Sequence, residues 1–379
     1  MKFEVNKAEL LKVLKTLLPI TASKFAKAQP VLENFLFETS NGKLSITASD
    51  ISIKGIAKIS HGIDITDDGT MLVNAQKFTS IVETFDKAIS IKKEETEIIL
   101  SENKTKISLP LIQLKYPENI LKSKIEYDSE FEINIKDFKE GLNKAFDFRK
   151  SITYDILSGV NIKTDNEKLK FCATDGNALA VYSAAIKKPY EEVNFTLSPA
   201  VCDLLLKNLA NTGANKALIK ISKKRVNIRF GNIIIESALL DGIFPKYEGI
   251  IAINDKPDKF LTIDKKQLFD CIKKVAAVKE NTPSNDAKTA KSSAIRYYIT
   301  LECGLITKIN YSNKLEDYIP AEYGGENISI SFNPDYMLKV LKSCNNDRLT
   351  LEISTELGPI FVKEENLTAL IMPVQGVRR

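Results

Sequence analysis

The sequence predicts a protein of three similar domains, each of about 125 residues with two helices among β-strands. A segment in which a short strand runs into a capped helix occurs three times in the 379 residues. A second segment of the same kind follows each of them about seventy residues later. Residues that alternate between apolar and polar predict strands between these segments, as in "KLSITASD" and "KLKFCATD". The repetition predicts domains at 1–127, 128–254 and 255–379.

The first repeated segment reads "FEVNKAELLKVLKTL" from Phe3, "FEINIKDFKEGLNKAF" from Phe131 and "LTIDKKQLFDCIKKVA" from Leu261. In each copy Asn or Asp ends the strand, and an acidic or amide side chain follows three positions later. The pairs are Asn6 with Glu9, Asn134 with Asp137, and Asp264 with Gln267. This is the spacing of a capping box, in which two side chains satisfy free N–H groups at a helix start.

The second repeated segment reads "MLVNAQKFTSIVETF" from Met71, "FTLSPAVCDLLLKNL" from Phe195 and "ISFNPDYMLKVLKS" from Ile330. Asn or Ser stands at each expected N-cap, and the second and third copies have proline in the first helical turn, where its missing N–H costs nothing. Together the two segments predict helices at about 7–17, 75–85, 135–147, 199–209, 265–278 and 334–344.

Composition excludes several classes of protein. The chain is 44% hydrophobic and 27% charged, as a soluble globular protein is. Five cysteines occur singly and there is one histidine, so zinc clusters, disulfide frameworks and histidine-based sites lack material. We expect no cofactor and no metal. Charged residues interrupt the amino-terminal apolar segment and no apolar run is long enough to span a bilayer, so we expect a cytoplasmic protein without a membrane partner.

The motifs that usually carry catalysis are absent. The sequence has no glycine-rich phosphate loop, no zinc-protease motif and no nucleophile elbow. "DITDDG" from Asp64 resembles the start of a calcium loop, but Ala75 stands where the loop needs a glutamate. Asp50 and Asp175 end equivalent strands in two domains, which favours a turn-capping role. A hydrolase that uses either carboxylate remains an alternative; the favoured interpretation is a protein that is not an enzyme.

Basic residues recur on the polar sides of all six predicted helices, which favours a shared anionic partner. Few aromatic residues accompany them and tryptophan is absent, so contact with phosphates fits better than stacking on bases. These residues are Lys7, Lys12, Lys15, Lys77, Lys136, Lys139, Lys144, Arg149, Lys150, Lys207, Lys265, Lys266, Lys273, Lys274, Lys339 and Lys342.

Several motifs in combination resemble bacterial DNA polymerase III beta subunits, the sliding clamps. They include "QPVLENFLFE" (29–38), "LSITASDISIKG" (44–55), "ATDGNALAV" (173–181), "DGIFPKYEGII" (241–251), "FNPDYMLKVL" (332–341) and "ALIMPV" (369–374). The resemblance implies an α+β fold of three clamp domains, each with two helices packed on antiparallel β-sheets. It also implies a head-to-tail homodimer that closes a six-domain ring, with the helices lining the hole around duplex DNA.

The resemblance implies partners and site residues as well. The partners would be a second copy, duplex DNA, the DNA polymerase III catalytic subunit, the clamp loader complex, and other polymerases and repair proteins that carry clamp-binding peptides. The peptide-binding cleft would comprise Leu157, Thr174, Gly176, Leu179, Pro245, Ile250, Leu370, Met372 and Pro373. The DNA-facing residues would be Lys12, Lys24, Lys27, Lys77, Lys139, Arg149, Lys150, Lys207 and Lys273. The dimer interface would comprise Lys77, Ile81, Phe85, Lys104, Ile107, Leu109, Val278, Glu316 and Asp317.

The chain departs from the family pattern around the cleft, at positions that bear on the affinity and preference for peptides. Many clamps carry basic residues where this chain has Asn177–Ala178 and Glu248–Gly249. Pro359 stands where a small polar residue often touches the peptide, and the chain continues past "MPV" into "QGVRR". The main alternative to the ring is a monomeric protein of clamp-like fold that binds partners without encircling DNA.

Overall fold

The computed structural model describes residues 1–121, 125–151, 155–186, 192–253, 257–277, 298–302, 305–309, 314–326 and 328–374. The chain forms two compact units. Unit 1 consists of Met1–Lys139, Ile186–Val193 and Ala200–Leu239. Unit 2 consists of Glu140–Ala185, Asn194–Pro199 and Leu240–Arg379.

The helices alternate with groups of strands along the chain. They are α1 (Lys7–Thr21), α2 (Lys24–Lys27), α3 (Ala75–Glu83), α4 (Glu118–Leu121), α5 (Ile135–Phe146), α6 (Pro199–Asn208), α7 (Glu248–Ala252), α8 (Lys265–Ala277) and α9 (Pro334–Ser343). The six longer helices begin where the repeated segments predict them, so that prediction is confirmed.

The strands before the middle of the chain are β1 (Lys2–Asn6), β2 (Asn34–Ser40), β3 (Lys43–Ser49), β4 (Ile53–Ile59), β5 (Ile63–Asp67), β6 (Gly69–Asn74), β7 (Ala88–Lys93), β8 (Glu97–Glu102), β9 (Thr105–Pro110), β10 (Ser129–Asn134), β11 (Val160–Asp165), β12 (Lys168–Thr174) and β13 (Ala178–Ala185). The remaining strands are β14 (Asn194–Leu197), β15 (Lys216–Ile221), β16 (Arg225–Phe230), β17 (Ile233–Ala238), β18 (Lys259–Asp264), β19 (Tyr298–Glu302), β20 (Leu305–Ile309), β21 (Lys314–Tyr318), β22 (Ala321–Gly324), β23 (Ser329–Phe332), β24 (Arg348–Ile353), β25 (Ile360–Lys363) and β26 (Leu367–Ile371).

Unit 1 contains two antiparallel sheets. One has the order β5-β1-β7-β8-β9, and the other has the order β10-β15-β16-β17-β4-β3-β2-β6. Alternate residues are buried in β1, β10, β15, β16 and β17; in β1, Phe3 and Val5 lie in the core. This alternation is the pattern of a sheet with one face on the core and one in solvent.

Unit 2 contains a sheet of order β14-β11-β12-β13-β26-β25-β24-β18-β22 and a second of order β21-β20-β19-β23. The strand pairs are antiparallel, so the predicted α+β class with antiparallel sheets is confirmed. Each large sheet takes strands from two of the predicted domains. The boundaries at 127/128 and 254/255 stay predictions.

Two strand pairings join predicted domains, and we call them the first and second junctions. The first junction is the pairing of β4 with β17 in unit 1, where Lys54 lies opposite Glu236. The second junction is the pairing of β13 with β26 in unit 2, where Leu179 lies opposite Leu370. The second junction carries most of the candidate peptide site.

Side chains cap most of the repeated helices in the predicted way. The Asn6 side chain accepts hydrogen bonds from the N–H groups of Ala8 and Glu9, at 2.9 and 3.3 Å. Asn74, Asp264 and Asn333 accept in the same manner at the starts of α3, α8 and α9. At α5 the Asn134 amide instead donates to the Asp137 carboxylate at 3.2 Å. The caps satisfy N–H groups that a helix start leaves without partners.

Candidate functional site

The Thr174–Ala178 turn forms one end of the candidate cleft, and its own side chains hold it. Asp175 Oδ1 accepts the N–H groups of Asn177 and Ala178, at 2.9 and 3.0 Å. The Thr174 hydroxyl donates to the Ala178 carbonyl at 2.7 Å and accepts the Gly176 N–H at 3.1 Å. Gly176 has φ of 94°, a conformation that glycine adopts without strain. A Cβ there would meet open space, so the backbone conformation is what requires glycine.

Asp50 builds the same kind of turn at the first junction. Its Oδ1 accepts the N–H groups of Ser52 and Ile53, at 3.1 and 2.7 Å, and the Ser52 hydroxyl at 2.8 Å. The turn-capping role predicted for Asp50 and Asp175 is therefore confirmed. Local backbone bonds account for both carboxylates without a catalytic role.

The floor of the candidate cleft is apolar and buried. Leu179 and Leu370, each 3% exposed, pack in one cluster with the aromatic residues Phe244 and Tyr247. The cluster also contains Cys172, Val181 and Phe361. Two of the nine predicted cleft residues, Leu179 and Leu370, are thus core residues that a ligand would reach mainly through their neighbours.

Leu157 and Met372 form half-buried walls over this floor. Leu157 lies in a 3₁₀ turn, Ile156–Ser158, whose start is capped by Asp155, which accepts the Leu157 N–H at 3.0 Å. A hydrogen bond from Lys150 at 2.7 Å, followed by that N–H bond, lowers the pKa of the Asp155 carboxyl. The Met372 N–H donates to the Asn177 carbonyl at 2.7 Å, which ties this wall to the turn. Unbranched methionine suits side chains of varied shape.

The predicted rim of the cleft is exposed. Pro245 and Ile250 are exposed, as predicted for contact residues, and Ile250 is 40% exposed. Ile243, two residues before Pro245, is 92% exposed, an unusual exposure for a large apolar side chain. Behind the rim, burial raises the pKa of the Tyr247 hydroxyl.

Helix α9 contacts the far side of the turn, which the sequence did not predict. The Asn177 amide donates to the Tyr336 hydroxyl at 3.3 Å, and the Lys339 ammonium lies 3.7 Å from Asp175 Oδ2. Burial, and next the Asp175 charge, raise the pKa of Tyr336. Pro373 pairs with Phe332, the last residue of the strand before α9. Pro359 is buried, as Leu179 and Leu370 are.

The predicted DNA-facing residues of unit 1 lie mostly in solvent. Lys12, Lys27, Lys77 and Lys207 are exposed, and Lys139 is half-buried. Lys207 forms an i,i+4 ion pair with Asp203 at 2.5 Å, which screening by solvent keeps weak. Lys24 lies on α2, and its side chain is outside the described part of the chain.

In unit 2 the predicted DNA-facing residues differ from one another. Lys273 is exposed. Arg149 is half-buried; it donates to the Phe146 carbonyl at 2.7 Å and stacks on the Phe146 ring at 3.6 Å. Lys150 is half-buried and pairs with Asp155. Lys144, which the sequence placed on the polar face of α5, is 6% exposed and corrects that prediction: it bonds to the end of α9.

The predicted interface residues of domain 1 surround an edge strand. β9 has β8 as its neighbour and ends its sheet, and Ile107 and Leu109 are half-buried on it. Lys77 and Leu109 line one pocket of about 290 Å³. Ile81 is half-buried and Lys104 exposed, whereas Phe85 is 2% exposed and belongs to the core beneath this surface.

The predicted interface residues of domain 3 are less fully described. Glu316 and Asp317 lie on β21, which ends its own sheet, and their side chains are outside the described part. Val278 lies outside the described residues.

The described ranges contain neither a metal-binding cluster nor a membrane-spanning helix. In those ranges no cluster of three or more His, Cys, Asp or Glu residues could hold a metal ion. The described cysteines, Cys172, Cys202, Cys271 and Cys344, are buried and are not joined in disulfides. Burial raises the pKa of Cys344 to about 12. None of the described helices has the length and apolar character needed to cross a bilayer.

Comparison with protein-family models places similarity along nearly the whole chain. Residues 1–120 match the model of the DNA polymerase III beta subunit N-terminal domain. Residues 132–246 match the central domain of that subunit, and residues 252–375 match its C-terminal domain.

Known proteins give the same similarity. The beta sliding clamp of Escherichia coli K12 is 24% identical over 385 residues, which cover 99% of this chain and 100% of that protein. The beta sliding clamp of Bacillus subtilis 168 is 24% identical over 389 residues, with the same coverage. The crystal structure of the Bacillus subtilis clamp has a TM-score of 0.85 at 21% identity and full coverage of both chains. A Pseudomonas aeruginosa clamp bound to griselimycin has a TM-score of 0.86 at 20% identity, covering 99% of this chain and 100% of that chain. These structures share the clamp fold with this chain.

Proposed function

The chain belongs to the DNA polymerase III beta-subunit family, and on that premise we propose that it acts as a DNA sliding clamp. It encircles duplex DNA without sequence specificity and tethers the replicative polymerase for processive synthesis. The observation that carries this proposal is the match of all three family domains in order along one chain. The six repeated strand–helix units support it. A ring of six domains with two helices in each domain needs six helices from each of its two chains.

The proposed ring is a head-to-tail homodimer. Such a contact uses two different surfaces of the chain. It forms a closed ring when the rotation that relates one copy to the next returns to the first copy after two steps. One surface comprises β9 with Lys77, Ile81, Lys104, Ile107 and Leu109, and the other comprises β21 and the end of α8. Among the described strands each ends its sheet, and an edge strand presents backbone groups that a second chain can pair with. Apolar side chains such as Ile107 supply most of the binding energy, since exposed ion pairs contribute only about 0–1 kcal/mol.

The proposed contact with DNA is electrostatic. Exposed lysines on the repeated helices, among them Lys12, Lys77, Lys207 and Lys273, attract phosphates without reading bases. A ring with such a lining is held on DNA by topology and can slide. In this role the chain is a processivity factor and not a catalyst. We place it in the cytoplasm, where bacterial DNA is replicated.

The proposed cleft recruits partners through a short peptide. Its buried Leu179–Leu370 floor, its half-buried Leu157 and Met372 walls and its exposed rim suit aliphatic and aromatic anchors of an extended segment. We propose the polymerase catalytic subunit, the clamp loader complex, and other polymerases and repair proteins as the peptide-bearing partners. A peptide of Gln-x-x-Leu-Phe character should bind with a dissociation constant on the order of micromolar.

The test of this function is retention on DNA of different topology. The protein is loaded on nicked circular DNA with its loader and ATP, then gel-filtered at about 0.5 M salt, where the Debye length is only about 4 Å. We expect the protein to stay on the circle and to leave once a restriction enzyme linearises it. Ile107→Asp, which disrupts the apolar edge, is the matched control and should not be retained. Loss from intact circles in salt, or retention after linearisation, would favour the monomeric alternative.

A further inference from the structure

In each of the two units, a buried hydrogen bond joins two helices. In unit 1, the Thr16 hydroxyl of α1 donates to Asn208 Oδ1 of α6 at 3.0 Å, and both residues are buried. In unit 2, the Lys144 ammonium of α5 donates to the Ser343 carbonyl at the end of α9 and to Asn345 Oδ1 at 2.6 Å. Lys144 and Ser343 are also buried.

These contacts occupy equivalent places in the repeat. Thr16 and Lys144 each lie ten positions after the residue that ends the strand before their helix, Asn6 and Asn134. Asn208 and Ser343 lie ten positions after the corresponding residues, Ser198 and Asn333. The same position of the first helix of one domain therefore meets the same position of the second helix of the next domain.

The repeat contains one more such pair, and it is divided between the two ends of the chain. On α8, the tenth position after Asp264 is Lys274, a basic residue like Lys144. On α3, the tenth position after Asn74 is Thr84, the C-cap residue directly after the helix, whereas Ser343 is the last residue of α9. Lys274, Thr84 and Asp86 are exposed.

The residues after α3, Thr84–Lys87, form a turn that we call the α3 corner. It resembles the turn after α9 to which Lys144 binds. After α9, Glu364 accepts the N–H groups of Asn345 and Asn346, each at 2.8 Å to Oε1. After α3, Glu102 accepts the N–H groups of Asp86 and Lys87, at 2.9 and 2.6 Å. Asp86 stands where Asn345 stands, twelve positions after its N-cap, so a carboxylate replaces the amide that bonds to Lys144.

We propose that Lys274 of one copy binds the α3 corner of a second copy, donating to the Thr84 carbonyl and the Asp86 carboxylate. The acceptor corner of α9 takes an ammonium group because the last carbonyls of a helix have no partner within the helix and attract cations. The corner after α3 offers the same carbonyl and adds a full negative charge, so it binds an ammonium group more strongly. This inference rests on the head-to-tail pairing of the proposed function.

Charge reversal tests the contact with equilibrium sedimentation of the full chain. Lys274→Glu and Asp86→Lys each place like charges at both interfaces of a homodimer, so each should raise its dissociation constant at least about tenfold. An equimolar mixture of the two variants joins opposite charges at both interfaces. We expect this mixture to form a heterodimer with a dissociation constant close to that of the wild type, which also excludes misfolding as the cause. Lys266→Glu makes the same charge change at an exposed site earlier in α8 and should dimerise like the wild type.

Two outcomes contradict the contact, and a third concerns the ring. Single variants that dimerise as tightly as the wild type would remove it, as would a mixture no tighter than the single variants. A wild-type chain that stays monomeric at high concentration would instead remove the head-to-tail pairing of the proposed function.

Discussion

The first and second junctions are both antiparallel strand pairings, but at one pair of opposed positions the first has charged side chains and the second has apolar ones. Each pair contains the fourth residue after the aspartate of a capped turn, Lys54 after Asp50 and Leu179 after Asp175. At the first junction, Lys54 and Glu236 form an ion pair of 2.6 Å with side chains 9% and 13% exposed. At the second junction, the opposed residues are Leu179 and Leu370, in an apolar cluster.

The difference explains why the candidate cleft lies at one junction. Lys54 also donates to the Ile120 carbonyl at 3.2 Å, which holds the segment between β9 and β10 against the first junction. At the second junction the segment between β17 and β18 packs through the rings of Phe244 and Tyr247. Leu157 and Met372 are half-buried and pack against this cluster. An extended apolar ligand gains from desolvating aliphatic walls, whereas a buried ion pair offers it no such surface. Two side chains thus distinguish an ion-paired junction from an apolar one.

The largest effect should come from breaking the buried ion pair. Glu236→Ala leaves the Lys54 ammonium buried without its carboxylate and should lower the free energy of unfolding by about 3–5 kcal/mol in a urea titration. The exposed pair Lys220–Glu130 in the same sheet is the control, and Glu130→Ala should cost about 1 kcal/mol or less. Equal losses for the two variants would show that burial of the pair is unimportant.

Truncating the cleft floor should affect both stability and peptide binding, whereas truncating its wall should affect mainly binding. Leu179→Ala removes a buried side chain and should cost about 2–5 kcal/mol of unfolding free energy. Met372→Ala removes a half-buried side chain and should cost less, while it still weakens a fluorescent Gln-x-x-Leu-Phe peptide about tenfold in an anisotropy titration. Unchanged peptide affinity in both variants would remove the proposed cleft.

Both capped turns should be more stable with glycine at the position after the aspartate. Ile51 has φ of 82° at the position of Gly176, and a β-branched residue is strained there. Ile51→Gly should therefore raise the free energy of unfolding by about 1 kcal/mol, although glycine loses some of the gain to chain entropy. Gly176→Ala should lower it by about the same amount. A stabilising Gly176→Ala would contradict the reason given for that glycine.

The smallest effect should be a dependence of the cleft wall on pH. The Lys150 hydrogen bond holds the pKa of Asp155 below its ordinary value, so the carboxylate stabilises the Leu157 turn at neutral pH. That stabilisation is present above the ordinary carboxyl pKa of about 4 and is lost as pH falls through the lower folded value. Asp155→Asn should bind the peptide slightly more weakly at pH 7 and lose less affinity below about pH 4 than the wild type. Parallel pH profiles for the two proteins would exclude this role.

Local sequence signals predicted the elements, and they did so because the interactions involved are themselves local. The caps at Asn6 and Asn74 and the turns at Asp50 and Asp175 join groups a few residues apart, so spacing alone reveals them. Alternation of apolar residues likewise identified the strands.

Partners of long side chains could not be predicted in this way. Lys144 looks like any lysine on a helix, and its acceptor Ser343 lies 199 residues away. The contacts of Tyr336 and Lys339 with the Asp175 turn also depend on packing between distant segments. The position of a lysine on a helix face therefore does not say whether its charge reaches solvent, DNA or a neighbouring helix end.

Exchange of the two positions tests most directly whether they determine the binding site. Leu179→Lys with Leu370→Glu gives the second junction the ion pair of the first, and calorimetric titration with the peptide measures both affinity and stoichiometry. We expect the wild type to bind one peptide per chain and the exchanged variant to bind none, while the variant still unfolds cooperatively in urea. Binding of two peptides per wild-type chain, or undiminished binding by a folded exchanged variant, would contradict the account.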